Sequence, residues 1–198
     1  MFKKLPIAIV AVLVSASLCN ALEAAGIQLP DSMEVAGIGI PDSIETGPTR
    51  LILNGAGVRT KFFMKLYVGG LYLEQKRSEP KYLIEADEPM AIRLHIISSL
   101  ITSEKMEKVT REGFVKATGG KIAPIEAQIE TFISVFRDKI NKNDVYDLIY
   151  IPGKGTEVHK NEKFYSLTEG LPFKQALFGI WLCENPAQKS LKKEMLGK

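Results

Sequence analysis

The chain has 198 residues, 45% of them apolar, and its 26 basic and 23 acidic residues give a formal net charge of +3 at pH 7. A charge so close to neutral argues against a nucleic-acid-binding protein, because such proteins carry a basic stripe that holds phosphates. The length fits one domain of ordinary size, with a core large enough to bury most of its apolar surface.

The first 21 residues have the pattern of a secretory signal peptide. Two lysines at positions 3 and 4 precede an apolar run from Leu5 to Leu18, and small residues follow. The run is shorter than the ~20 apolar residues that span a bilayer. We therefore predict cleavage after Ala21, a periplasmic or secreted location, and no integral membrane span in the mature chain. The alternative is a lipoprotein modified at Cys19, but Leu18 stands where a small residue is expected.

Cleavage would remove two of the 26 basic residues and no acid, which leaves 24 basic against 23 acidic residues. It would also leave Cys183 as the single cysteine, so an internal disulfide is excluded. No spacing of cysteine and histidine suggests a metal site. Residues 55–57, Gly-Ala-Gly, lack the third glycine of a dinucleotide fingerprint, and we predict neither a metal nor a cofactor.

A short duplication follows the signal peptide, within residues 22–46. AGIQLPDSMEV at 25–35 is followed directly by AGIGIPDSIET at 36–46, and seven of the eleven positions match. Two copies of eleven residues are too few for a solenoid, which needs several stacked units. We expect the second copy to dock on the main domain, residues 47–198, and the first to be exposed or loosely packed.

The stretch from Leu51 to Glu74 organises the rest of the chain. Residues 51–53 are apolar, and Asn-Gly-Ala-Gly at 54–57 predicts a sharp turn. Arg59 follows this turn. The run from Phe62 to Leu73 is rich in aromatic and aliphatic residues and predicts a buried strand.

The remaining elements alternate between strand and helix patterns. We predict strands at 81–86, 91–97, 145–151, 156–159 and 164–167, the last three forming an antiparallel meander. We predict helices at 102–118, 124–140, 172–182 and 187–196. The helix at 172–182 is apolar on nearly all sides and should be buried, whereas the lysine-rich last helix should lie on the surface.

Five ordered motifs carry a family resemblance: GAGVRTKF, KLYVGGLYLE, LIYIPGKGTEV, FKQALFGIWLCENP and LKKEMLG. Between about residues 47 and 197 the chain resembles the bacterial, secreted branch of the chalcone isomerase-like family. The resemblance implies an α+β fold, an open-faced sandwich in which a layer of helices covers one face of a large antiparallel sheet. It also implies a ligand cleft between sheet and helices.

The resemblance implies a ligand role for Arg59 and Tyr67. In this family an arginine after the glycine turn contacts ligand, and in the fatty-acid-binding relatives a tyrosine joins it on the carboxylate. The residues themselves raise a difficulty. Eight residues of straight strand span about 26 Å at ~3.3 Å per residue. The two side chains can meet only if the chain folds back between them, and no glycine lies between Thr60 and Leu66.

The polar residues used by the true isomerases are mostly replaced. Aligning residues 102–113 places Lys105 at the catalytic tyrosine and Glu112 at the asparagine, while Lys108 keeps the lysine. Ile180 or Trp181 stands where a threonine contacts the substrate ring. Neither an aliphatic nor an indole side chain can replace a hydroxyl acceptor, so we predict no catalytic residues and no chalcone isomerisation.

We therefore expect an exported, non-catalytic protein that binds a small apolar or amphipathic ligand, such as a fatty acid, in a cleft between sheet and helices. Arg59 would neutralise the acid group, with Tyr67 and Lys108 as further polar contacts. The expected apolar wall consists of Phe63, Met64, Phe132 and Trp181. Two alternatives remain open: an isomerase or intramolecular lyase acting on an unknown substrate, and a structural envelope protein without a ligand.

Overall fold

The computed structural model describes residues 32–198, so the predicted signal peptide and most of the first repeat copy lie outside the described residues. Nine strands are present in the described part: β1 (Ser32–Val35), β2 (Ile38–Pro41), β3 (Ser43–Thr46), β4 (Thr49–Lys61), β5 (Met64–Leu73), β6 (Met90–Ile96), β7 (Val145–Ile151), β8 (Gly155–Lys160) and β9 (Lys163–Thr168). The described helices are α1 (Pro80–Glu85), α2 (Ser103–Ala117), α3 (Glu126–Ile133), α4 (Leu171–Leu182) and α5 (Lys189–Met195).

Strands β3 to β9 form one sheet in which every strand pairs antiparallel with its neighbour in sequence. Strands β1 and β2 form a separate hairpin. The helices pack on one side of the sheet, which confirms the predicted α+β class and the open-faced arrangement. Among the described residues, no helix combines the length and apolar character needed to cross a bilayer.

Alternation along β5 sends side chains into two separate cores, one on each face of the sheet. Tyr67, Leu71 and Leu73 belong to the larger core, which the helices cover. Val68 and Tyr72 belong to a smaller core on the opposite face. We call the first of these the helix-side core.

The second repeat copy docks on the main sheet, as predicted, whereas residues 25–31 of the first copy lie outside the described residues. Within the described part of the first copy, Met33 on β1 is exposed. In the second copy, residues 43–46 form the edge strand β3, and Ile40 and Ile44 are buried in the smaller core. The second copy is therefore the docked one, although its residues 38–41 pair with the first copy.

The predicted turn at residues 54–57 is wrong. Strand β4 runs without interruption from Thr49 to Lys61, and the chain reverses instead at Phe62 and Phe63. Both phenylalanines have positive φ, 48° and 64°, and Lys61 pairs with Met64. Positive φ at both central residues is the pattern of a type I′ turn. Such turns favour Asn-Gly, so a turn formed by two phenylalanines was not recognisable from the sequence.

Close packing against α5, and not the predicted turn, requires glycine at positions 55 and 57. Helix α5 lies directly over them, and a Cβ atom on Gly55 would overlap the carbonyl oxygen of Glu194. The backbone N–H of Val58 donates to Oε2 of Glu194 at 3.2 Å. Leu191 and Met195 on α5 are buried, so this helix packs on the sheet with one face and is not purely a surface helix.

Two further predicted elements differ from the structure. Residues 80–85 form helix α1 instead of a strand, with Pro80 at the start of the helix where proline is tolerated. The long helix predicted at 124–140 is a short helix, α3, with a turn of 3₁₀ helix on each side. The helix at 102–118 is confirmed as α2, and Thr102 caps it by accepting from the N–H of Lys105.

Candidate functional site

Arg59 and Tyr67 lie directly opposite each other on β4 and β5. The separation expected for one straight strand therefore does not apply, because the turn at 62–63 folds β5 back along β4. Side chains directly opposite each other in an antiparallel pair share a face and are in contact range. The hairpin thus brings together the two polar residues that the family resemblance singled out.

Tyr67 is buried in the helix-side core and is hydrogen-bonded to α4. The Nε1 of Trp181 donates to the Tyr67 hydroxyl oxygen at 3.0 Å. Burial raises the pKa of Tyr67 above its usual value, while Trp181 and the positive charge of Arg59 act in the opposite direction. The hydroxyl is therefore neutral at pH 7 and retains its own hydrogen as a donor.

Gln188, which we did not single out from the sequence, holds Arg59 in place. Its Oε1 accepts from Nη1 of Arg59 at 2.9 Å and from the N–H of Thr60 at 2.8 Å, and its Nε2 donates to the carbonyl of Val58 at 3.1 Å. Gln188 immediately precedes α5. Its only local feature is its position between Pro186 and the last helix, which is too common a pattern to mark a site.

The Arg59 guanidinium has no acidic partner within 4.0 Å among the described residues. Its Nη1 donates to two neutral oxygens, those of Gln188 and the Thr60 carbonyl, the latter at 2.7 Å. By contrast, Arg93 on β6 makes two bonds to Asp147, at 2.6 and 2.8 Å. A half-buried guanidinium beside a tyrosine hydroxyl, with donors still available, is suited to binding a carboxylate.

Of the other predicted ligand residues, Trp181 alone lies beside Arg59 and Tyr67. Phe63 is fully exposed at 105% of its reference area and Met64 is 42% exposed, because both lie at the hairpin turn. They do not form the wall of a buried cleft, and that part of the prediction needs correction. Lys108 is exposed on the outer side of α2.

Phe132 lies deep in the helix-side core, in a cluster of aromatic rings. Its ring centroid is 6.0 Å from that of Phe114, 5.6 Å from that of Phe136 and 5.8 Å from that of Phe173. It is buried, as an apolar wall residue should be, but its neighbours are other aromatic side chains. A ligand role for Phe132 stays a prediction.

Two surface depressions in the described part of the chain lie away from Arg59. One, of about 50 Å³, is formed by residues 73–77 together with residues from α1 to the start of β6. The other, of about 60 Å³, lies between α2 and α3, over Phe114. Beside Arg59 and Tyr67, the space between sheet and α4 is occupied by the indole of Trp181.

Within the described residues, no group of three or more acidic, histidine or cysteine side chains could hold a metal ion. His95 has a buried Nε2 without a hydrogen-bond partner, and burial lowers its pKa. However, His95 pairs with Val68 and not with Tyr67, so it belongs to the other face of the sheet. It does not form an acid–base pair with Arg59 or Tyr67.

Comparison with known proteins agrees with the fold. The structure matches the crystal structure of a fatty-acid-binding protein from Arabidopsis thaliana with a TM-score of 0.68, covering 84% of this chain and 96% of that one, at 21% sequence identity. No curated protein sequence matches the chain. The family model described as chalcone isomerase-like matches residues 32–197, nearly all of the described part. The chain therefore belongs to the chalcone isomerase-like family.

Proposed function

We propose that this protein is a non-catalytic binding protein for a small amphipathic acid, such as a fatty acid. The observation that carries the proposal is the Arg59 guanidinium, which lies beside the hydroxyl of Tyr67 and has no acid partner among the described residues. A ligand carboxylate would accept from Arg59 and from the free hydroxyl hydrogen of Tyr67. The similarity to a plant fatty-acid-binding protein supports this class of ligand.

The apolar part of the ligand would enter the helix-side core between β5 and α4. Tyr67 and Trp181 both belong to this core, and the hydrogen bond between them closes the space next to Arg59. Binding would therefore move the indole away from the Tyr67 hydroxyl, and the ligand carboxylate would accept the hydrogen of that hydroxyl. Trp181 is the single tryptophan of the chain, so its fluorescence would report this movement.

The replaced isomerase positions support binding without catalysis. Lys105, at the position of the catalytic tyrosine, is exposed and donates to the carbonyl of Leu100 at 3.1 Å. Ile180 and Trp181, at the position of the threonine, are both buried in the helix-side core. Lys105 bonds to Leu100 and Ile180 is aliphatic, while the indole N–H of Trp181 can donate a hydrogen bond but is too weakly acidic to transfer its proton.

We also propose that the protein is exported and that residues 1–21 are removed as a signal peptide. The basic start and the apolar run of residues 5–18 support this. A periplasmic or extracellular binding protein would meet free acids and lipids there.

Native mass spectrometry of the protein purified from its producing cell tests both proposals. We expect a bound acid of lipid size and a chain that begins at Leu22. In the variant Arg59→Gln the bound acid should be lost or bound about tenfold more weakly, because a charged hydrogen bond to a carboxylate is removed.

Arg50→Gln is the matched control. Arg50 lies on the same strand, exposed, 3.7 Å from Glu45, and its substitution should leave ligand retention unchanged. Equal retention in the Arg59 variant and the control, or no change in Trp181 fluorescence when a fatty acid is added, would contradict the binding role.

A further inference from the structure

The tip of the β4–β5 hairpin projects beyond the rest of the sheet. Strand β6 ends at Ile96, opposite Tyr67, so residues 61–65 have no neighbouring strand on that side. The N–H of Ile97 still donates to the carbonyl of Leu66, at 3.0 Å, and marks the last contact. All five residues from Lys61 to Lys65 are exposed, and we call them the hairpin tip.

The hairpin tip holds the two most exposed large apolar side chains of the described residues. Phe62 is 79% exposed and Phe63 is 105% exposed, and Met64 beside them is 42% exposed. Both phenylalanines have positive φ, which costs a bulky side chain roughly 1–3 kcal/mol each relative to glycine or asparagine. Two aromatic residues that are strained and unburied contribute nothing evident to the fold, which points to a contact outside the chain.

The charged residues of the hairpin itself are all positive. Lys61 and Lys65 flank the two phenylalanines, and Arg59 follows at the base. From residue 55 to residue 73 the hairpin contains these three basic residues and no acidic one. Leu100, on the loop that follows β6, is a further exposed apolar side chain at this end of the sheet.

We propose that the hairpin tip docks on the surface of a lipid bilayer that contains anionic phospholipids. A protruding pair of aromatic side chains can enter the boundary between headgroups and acyl chains, while two lysines beside it contact the phosphates. A protein partner fits less well, because two aromatic side chains offer only about 300–500 Å², well below the ~800 Å² per partner of a stable protein interface.

Docking in this way would place the candidate binding site next to the lipid surface. Arg59 and Tyr67 lie at the base of the same hairpin, three residues before Phe62 and four residues after Phe63. A fatty acid leaving the bilayer would then meet the guanidinium first. The docking itself depends only on the hairpin tip, so it stands even if the proposed function fails.

Flotation of the full protein with lipid vesicles tests the proposal. We expect binding to vesicles of phosphatidylcholine mixed with phosphatidylglycerol, weaker binding to phosphatidylcholine alone, and loss of binding as salt is added. The double variant Phe62→Asn/Phe63→Gly should lower the partition coefficient about tenfold or more, because both apolar anchors are removed. Asn-Gly suits the type I′ turn, so this variant should fold at least as well as the parent protein.

Two further variants separate charge from apolar insertion. Lys61→Gln and Lys65→Gln should each weaken binding to the anionic vesicles about fivefold and leave binding to phosphatidylcholine unchanged. Tyr82→Ser, which removes an exposed aromatic side chain on α1, is the control and should bind as the parent protein does.

Three results with the parent protein and the Asn-Gly variant would each overturn the proposal: no binding of the parent protein to anionic vesicles, equal binding by the Asn-Gly variant, or self-association that the Asn-Gly variant abolishes. The last result would assign the tip to a second copy of the chain. In the variant Phe63→Trp, the added indole should shift its emission to the blue only with anionic vesicles, and an unshifted emission would equally contradict insertion.

Discussion

Gly55 is the residue at which the sheet accommodates its last helix. Helix α5 crosses β4 so closely that a Cβ on Gly55 would overlap the Glu194 carbonyl oxygen and lie 3.0 Å from the nitrogen of Gly197. Both atoms belong to backbone, which cannot move aside as a flexible side chain can. Neighbouring Asn54 fixes the same contact, because its Nδ2 donates to the carbonyl of Met195 at 2.8 Å.

Gly55→Ala should therefore destabilise the protein by about 1–3 kcal/mol, measured by urea unfolding, because the added methyl group displaces the end of α5. Gly39→Ala is the control on β2, where the nearest atom to an added Cβ is the Ser32 hydroxyl at 3.6 Å. This second change should alter the free energy of unfolding by about 0.5 kcal/mol or less. Equal effects of the two substitutions would show that the approach of α5 is not what requires a glycine.

The candidate site could be predicted from the sequence only in part, for reasons that are visible at single residues. Arg59 and Tyr67 came from the family resemblance, while the residue-level distance argument separated them. Phe62 and Phe63 bring the two residues together by adopting the positive φ that is typical of glycine and asparagine, so no turn was recognisable there from the sequence. Gln188 was missed because a lone glutamine before a helix carries no distinctive pattern.

At the scale of elements, helix α1 depends on a buried lysine of α4. The ammonium group of Lys174 is fully buried and donates to three carbonyl oxygens at the end of α1, those of Leu83 at 2.7 Å, Ile84 at 3.0 Å and Ala86 at 2.7 Å. Burial lowers the pKa of Lys174 to about 8, while Asp87 and Glu88 oppose this shift. The group therefore carries its charge at pH 7 and caps the helix terminus.

Lys174→Met should cost about 2–4 kcal/mol of stability, because the carbonyl oxygens at the end of α1 lose their donor inside the protein. Hydrogen exchange should rise first in residues 80–86, the segment that the lysine holds. Gln175→Met is the control, since its side chain makes one long bond of 3.4 Å to the carbonyl of Glu85 and should cost about 1 kcal/mol or less. An equal rise in hydrogen exchange at residues 80–86 in the Lys174 and Gln175 variants would contradict the anchoring role of Lys174.

The same contact explains why α1 was predicted as a strand. Residues 81–86 are short and mix apolar and charged side chains, so local sequence does not separate helix from strand. The helix is fixed from outside by Lys174, more than 80 residues away in sequence. Elements with a strong local pattern, such as the capped helix α2 and the meander of β7 to β9, were predicted correctly because their signals are local.

At the scale of the whole molecule, the strands of the main sheet lie side by side in the same order as in the sequence. Each strand of the seven-stranded sheet pairs with the next one in sequence, and the strands are joined by turns and by two helical connections, α1 between β5 and β6 and α2 with α3 between β6 and β7. The helix-side core then forms from the strands and the apolar faces of α1 to α5. The family resemblance supplied this architecture, and the pattern of apolar residues alone would have left the placement of α5 over β4 open.

The six tyrosines of the chain divide into buried and exposed ones, so their titration with base reports whether the whole fold is intact. Burial raises the pKa of four of them, Tyr67, Tyr72, Tyr146 and Tyr150, above the usual range. Tyr82 and Tyr165 are exposed, and carboxylate partners, Glu88 and Asp138, raise their pKa. The buried hydroxyls can release their protons only when the core opens.

The sign of the pH dependence follows from proton binding. Above about pH 10 the unfolded chain loses its tyrosine protons while the folded protein keeps those of the four buried residues. Their contribution to stability is complete below pH 10, and the free energy of unfolding should fall above it by as much as ~1.4 kcal/mol per pH unit for each buried tyrosine.

Alkaline titration followed by tyrosinate absorbance should therefore proceed in two steps. Two tyrosines should ionise reversibly while circular dichroism is unchanged, and four should ionise together as the fold is lost. Tyr72→Phe removes one buried hydroxyl, which donates to the carbonyl of Pro41 at 2.9 Å, and should make the decline in stability with pH less steep. Ionisation of all six in one reversible step with the circular dichroism intact would mean that the core between sheet and helices is open to water.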